Sequence, residues 1–139
     1  MRISEQNVEL VKRCYEALNE AYRSGQYGGW IEGFAHPDVR LRTSGMFPES
    51  GEYCGYQEVR RFAENQAEAF EEMFVRPLEL IDAGARVVVP ISLGGKARHT
   101  GISATFTVAH AWTIRDGKVA AIDMYQQRSE ALQAVGLEE

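Results

Sequence analysis

Two cysteines, three histidines and four prolines are spread over 139 residues, and each scarcity closes off a class of protein. Cys14 and Cys54 form neither a disulfide framework nor a zinc spacing. With His36, His99 and His110 they show no ligand pattern, so no metal is expected. No stretch approaches the roughly 18 apolar residues of a membrane-crossing helix, so no membrane partner is expected. Residues 1–10 carry Glu5 and Glu9 and no apolar run, so no signal peptide is expected either. Positive charge is also short: 15 Lys and Arg stand against 20 Asp and Glu, a net charge of −5. That balance argues against nucleic acid or an anionic surface as partner. Gly94-Gly95 lacks the strand-to-helix setting of a phosphate loop, and no cofactor is expected. The expectation is a soluble, cytoplasmic chain forming one domain over residues 1–139.

What is present divides sharply into a helical first half and a strand-rich second half. With 45% hydrophobic residues, a chain of this size buries roughly two thirds of its unfolded surface and needs no staples. Ser4 is a candidate N-cap. Val8, Val11, Tyr15, Leu18 and Tyr22 then recur at steps of three and four, and Leu10, Cys14, Ala17 and Ala21 widen the same face. So broad a stripe predicts a helix lying in a trough. Gly25, Gly28 and Gly29 end it, and Trp30, Ile31 and Phe34 predict a short second helical piece before His36-Pro37-Asp38.

Residues 39–44 alternate as a strand and 45–55 read as a loop. Val59, Phe62, Ala63, Phe70, Met73 and Phe74 place a third helix over residues 56–74. Residues 78–82, 86–93, 102–114 and 119–125 then read as strands, divided by Ala83-Gly84, Gly94-Gly95 and Asp116-Gly117. Pro90 lacks an amide donor and predicts a bulge or an edge. Helices first and an antiparallel meander after is an α+β order.

The longest strand holds the chemistry. Ile102, Ala104, Phe106, Val108, His110, Trp112 and Ile114 share one face, so a histidine stands in the middle of an apolar row. Two readings of His110 are open. One is a core histidine, neutral and hydrogen-bonded. The other is the polar group on the floor of an apolar pocket, able to act as acid, base or hydrogen-bond donor. Its neighbour depends on the turn. A two-residue Asp116-Gly117 loop sets His110 opposite Asp123, whereas a three-residue loop sets it opposite Ile122. The second register is favoured, because it turns Ala120, Ile122 and Met124 to the apolar face and Asp123 outward. Tyr15, Trp30, Phe34, Phe62, Phe106 and Trp112 line the hollow or simply fill it. Tyr53, Tyr56, Arg40 and Arg42 sit at the expected mouth, as a gate or as a solvated strand edge.

Four stretches resemble the nuclear-transport-factor-like (ketosteroid isomerase-like) superfamily, and its SnoaL-like group most closely. They are residues 10–19 (Leu10 to Asn19), 34–39 (Phe-Ala-His-Pro-Asp-Val), 55–62 (Gly-Tyr-Gln-Glu-Val-Arg-Arg-Phe) and 110–119 (His-Ala-Trp-Thr-Ile-Arg-Asp-Gly-Lys-Val). The resemblance covers about residues 8–132. It implies a cone: a curved, mixed β-sheet wrapped around three helices of the N-terminal half, enclosing a pocket. It also implies a homodimer through the outer sheet face, which here offers Thr105, Thr107, Ala109 and Ala111.

Site roles carry over unevenly. The isomerases' first-helix tyrosine falls on Cys14, their late-strand acid on His110, and their base carboxylate near Arg42 or Thr43. The cyclases' acid-base group has His110 as its one strong candidate here, and the converging polar groups of the dehydratases and epoxide hydrolases are not evident. The expected function is binding of a small, mostly apolar, ring-like molecule, with isomerase, cyclase or hydrolase-type acid-base chemistry at His110. Tyr15, Trp30, Phe34, Thr43, Phe62, Phe106, Trp112, Ile122 and Met124 are the expected ligand contacts. The alternative is a non-catalytic dimerisation or adaptor module whose hollow is filled.

Overall fold

The first helix, α1, runs over Ile3–Ser24 and buries Val11, Cys14, Tyr15 and Ala21, the two adjoining rows of the sequence pattern. It begins one residue before the expected Ser4 cap, with Arg2 at the N-cap and no side-chain cap. Gly25 ends it in the left-handed region (φ 74°), its amide bonded to the Ala21 carbonyl. The computed structural model describes residues 2–43 and 51–137. Residues 45–50 of the expected loop, and Ser44 of the expected strand, lie outside them.

Residues 28–34 form successive turns rather than a second helix. The run holds Gly28, Gly29 and Gly33, and glycine is a poor helix former. Strand β1 then starts early, at Ala35–Arg42, taking in the His36-Pro37-Asp38 stop. Strand β2 is Glu52–Cys54, and helix α2 is Gly55–Ala69. The remaining strands are β3 Phe70–Pro77, β4 Ile81–Ala83, β5 Arg86–Ala97, β6 Ser103–Arg115 and β7 Lys118–Tyr125, followed by helix α3, Arg128–Ala134. The described residues therefore hold three helices, with the third at the C-terminal end and not in the first half.

The sheet is a curved, unclosed, seven-stranded α+β sheet of order β2-β1-β7-β6-β5-β3, with β4 beside β5. It is mixed, because β1 runs parallel to β7 while the other pairs are antiparallel. Three of these pairings shift register, and such bulges bend a strand and raise its twist. Helices α1 and α2 fill the concave side, while α3 lies on the convex side, where Ala131 and Leu132 cover Val88, Ala109 and Ala111.

Strand β3 replaces the last turns of the expected third helix. Phe70, Met73 and Phe74 are spaced three and one apart, which suits one helical face. A bulge between Glu71 and Phe74, with Glu72 at φ 54°, produces the same spacing in a strand that buries Met73 and Val75. Asn19 of α1 clamps it from within: its amide donates to the Val75 carbonyl at 2.7 Å and its carbonyl accepts from the Val75 amide at 2.8 Å.

Gly94 and Gly95 do not divide two strands as expected. They sit inside β5, where a Cβ on Gly94 would lie 2.3 Å from the Ala104 carbonyl oxygen and one on Gly95 2.9 Å from that of Glu71. These glycines allow close backbone approach rather than a turn. Pro90 occupies a local edge as expected. Its carbonyl accepts from Leu78, so its missing amide faces the gap between Pro77, where β3 ends, and Ile81, where β4 begins.

The packing at Gly94 gives a direct test. Gly94→Ala should destabilise the fold by about 1–3 kcal/mol, the cost of forcing atoms into a filled space. Gly28→Ala, whose new Cβ meets nothing within 4 Å, should stay within about 0.5 kcal/mol. Urea unfolding reads both, and equal midpoints would contradict the close approach.

Candidate functional site

His110 and Trp112 project from the concave face of β6, two residues apart and so side by side. Facing them from α1 is Tyr15, one residue beyond the Cys14 position at which the resemblance leaves the isomerases' tyrosine vacant. The Tyr15 hydroxyl lies 2.7 Å from His110 Nδ1 and accepts from Trp112 Nε1–H at 2.8 Å. The Tyr15 and His110 rings are within 5° of parallel, with centroids 5.9 Å apart. The Trp112 ring stands edge-on to Tyr15 at 5.2 Å. All three residues are at most 5% exposed.

Burial controls the protonation of this group. Desolvation lowers the His110 pKa to about 4, so the imidazole is neutral at ordinary pH. The same cause raises Tyr15 well above 10, although the Trp112 hydrogen bond opposes it. It also pushes the Cys14 thiol up to about 12, which removes Cys14 as a nucleophile.

Beside the triad is a cavity of about 40 Å³. That holds a few waters and no ring. Among the described residues no charged side chain lines it. Trp30 does, and its indole N–H is buried with no hydrogen-bond partner among the described residues.

Of the residues singled out by sequence, Tyr15, Trp30, Phe62, His110, Trp112, Ile122 and Met124 meet around this cavity. Phe34, Thr43 and Phe106 do not. Phe34 sits half-buried at the end of the turns, against the core. Thr43 is turned to its own loop, its hydroxyl accepting from the Gly51 amide at 2.7 Å. Phe106 is 44% exposed, because the N-terminal half of β6 runs beyond the cover of the helices. Leu18 and Tyr22 complete the α1 wall and were already on the helical stripe. Met73 and Val75 were hidden by the helical reading of β3, and Gln66 carries no sequence signal.

Neither expected hairpin register is present. Asp116 and Gly117 form a two-residue turn with both φ positive (52° and 76°), joining Arg115 to Lys118. An extra residue, Ala120, then shifts the pairing, so that His110 faces Met124 and Ala111 faces Asp123. Asp123 therefore makes no dyad with His110. It lies on the convex face, yet it is 7% exposed rather than solvated. Arg40 and Arg86 approach it at 3.6 and 3.8 Å, and Arg86 also donates to the Ala134 carbonyl at the end of α3.

The expected mouth residues are engaged structurally. Tyr56 donates to the Ala35 carbonyl, Arg42 pairs with Glu52, and the Tyr53 ring packs on Phe62. Among the described residues no His, Cys, Asp and Glu side chains cluster as metal ligands, and no helix is long and apolar enough to cross a membrane.

Over residues 11–122 the chain matches the family model described as the SnoaL-like domain. It belongs to that family. The SnoaL-like chain is similar in fold to an NTF2-like protein of unknown function from Burkholderia pseudomallei, with 24% identity and a TM-score of 0.72. That match covers 94% of this chain and 98% of the other. It is also similar to TerC, co-crystallised with polyporic acid (25% identity, 94% and 98% covered, TM-score 0.71). A protein of ketosteroid isomerase-like fold from Catenulispora acidiphila, in complex with trimethylamine, matches at 16% identity, 93% of each chain and a TM-score of 0.71. The SnoaL-like chain has no match among curated proteins.

The buried imidazole makes stability depend on pH. In the unfolded chain it takes a proton near pH 6.5, and in the fold only near 4. Between those values the unfolded state binds more protons, so stability falls as pH drops from about 6.5 to about 4. The loss attributable to His110 should be on the order of 3 kcal/mol. Unfolding of wild type and His110→Phe at several pH values isolates it. Parallel pH profiles for the two proteins would show that the ring is not held neutral.

Proposed function

We propose that this SnoaL-like chain binds a small, mostly apolar, ring-bearing molecule between α1, α2 and the concave sheet. His110 is its reactive or orienting group, in chemistry of the isomerase, cyclase or hydrolase type. The observation that carries the reading is a neutral imidazole, oriented by Tyr15, at the wall of an uncharged cavity. Small-molecule sites have this composition, apolar with a few placed polar groups. The fold relative TerC was crystallised with polyporic acid, an organic ligand, which supports the same reading.

The cavity volume requires that the walls move to admit a ring. Leu18, Met73 and Met124 line it, and the two methionines are unbranched and adaptable. A second reading is favoured by the same volume: a packed, non-catalytic dimerisation module whose hollow holds only water. A protein-observed NMR screen of ring-bearing apolar fragments separates the two. Binding reading: hits that shift His110 and Trp112 signals and are lost in Ala63→Val, which narrows the cavity wall. No hits, or hits indifferent to Ala63→Val, would leave the packed module.

We also propose a homodimer through the convex sheet face, as an expectation carried by the family. Ala109 and Ala111 are not available for it, because α3 covers them. Thr105 and Thr107 remain exposed on the projecting half of β6 and are the contacts assigned to it. Sedimentation should show a dimer in wild type and a monomer in Thr105→Glu/Thr107→Glu. An unchanged dimer would place the interface elsewhere.

A further inference from the structure

The hydrogen-bond polarity of the triad decides what the cavity can hold. An indole nitrogen only donates, so the Tyr15 oxygen accepts from Trp112. The phenol stays protonated, and its hydrogen needs an acceptor. His110 Nδ1, at 2.7 Å, is the acceptor that the described residues offer. The reverse arrangement, Nδ1–H donating to the tyrosine oxygen, would strand the phenolic hydrogen in an apolar interior at the full cost of desolvation. The ring then carries its single hydrogen on Nε2, which has no hydrogen-bond partner among the described residues. Trp30 contributes a second unpartnered N–H at the same cavity.

We propose that the Tyr15 hydroxyl, oriented by Trp112, fixes His110 as the Nε2–H tautomer, so that the cavity selects neutral ligands bearing an acceptor oxygen. Trp112 and Tyr15 are positioning residues in this account, and His110 is a hydrogen-bond donor rather than a base. The buried Trp30 N–H and the His110 Nε2–H, neither with a partner among the described residues, favour a carbonyl or ether oxygen. A carboxylate finds no counter-charge in the lining that the described residues form, and is disfavoured. A hydrocarbon of equal shape leaves both donors unsatisfied. The inference rests on the ligand-binding reading above, and it narrows that reading to one chemical class.

The test uses the full chain labelled with ¹⁵N at histidine and tryptophan. Without ligand, the His110 ring nitrogens should show an unprotonated Nδ1 and a protonated Nε2. In Tyr15→Phe the donor to Nδ1 is lost, and an Nδ1–H fraction should appear. Cyclohexanone, methylenecyclohexane and cyclohexanecarboxylate are then titrated as probes. The ketone should bind at least about tenfold more tightly than its hydrocarbon isostere, the worth of one good hydrogen bond. It should also move the Trp30 indole N–H signal, and the carboxylate should not bind. His110→Phe should remove the ketone's advantage while the hydrocarbon binds as before. A protonated Nδ1 in wild type, or equal binding of ketone and hydrocarbon, overturns the inference and leaves the ligand reading standing. Failure of all three probes to bind removes the ligand reading itself, and the selectivity with it.

Discussion

A single phenolic hydroxyl ties the first helix to the longest strand of the sheet. The Tyr15 oxygen accepts from Trp112 and faces His110 Nδ1, so one atom satisfies two buried polar groups side by side on one face of β6. Each of those groups would otherwise be stranded in an apolar interior. The contact therefore constrains both the rotation of α1 about its axis and the depth at which it lies in the sheet. It also explains why a histidine is tolerated in an otherwise apolar row: burial holds it neutral, and Tyr15 supplies its partner.

The bent sheet makes room for that contact. Register shifts in β1, β3 and β7 turn the strands around α1 and α2, and two of them change which side chains reach the interior. At β3 the bulge delivers Met73 and Val75 to the cavity wall, and Asn19 pins the strand beside it. At β7 the extra Ala120 moves Met124 opposite His110 and sends Asp123 beneath Arg40 and Arg86 on the other face. Among the described residues no charged side chain lines the cavity, and burial keeps the imidazole neutral.

Much of this was legible in the order of residues. The α1 stripe, the alternation around His110 and the motif resemblance place the α+β sheet, the helices α1 and α2 and part of the cavity wall, whereas α3 was not foreseen. What escaped has physical causes. Periods of two and 3.6 coincide at Phe70, Met73 and Phe74 once a bulge intervenes, so β3 was read as helix. Gly94-Gly95 looks the same in sequence whether it turns the chain or lets strands approach. The Asp116-Gly117 turn is recognisable, but a bulge three residues later is invisible, and it decides the partner of His110. Phe106 shows that alternation tells which face a side chain takes and says nothing of how far the helices extend over it. The Tyr15 contact joins residues 95 apart in sequence, which no local pattern reveals.

A double-mutant cycle on Tyr15→Phe and Trp112→Phe, read by urea unfolding, probes the central contact most directly. If the Tyr15 hydroxyl holds helix to sheet as described, the double variant loses about 1–3 kcal/mol less than the sum of the two single losses. Losses that add to within about 0.5 kcal/mol would mean that the two groups do not interact, and the account of the site would fail with them.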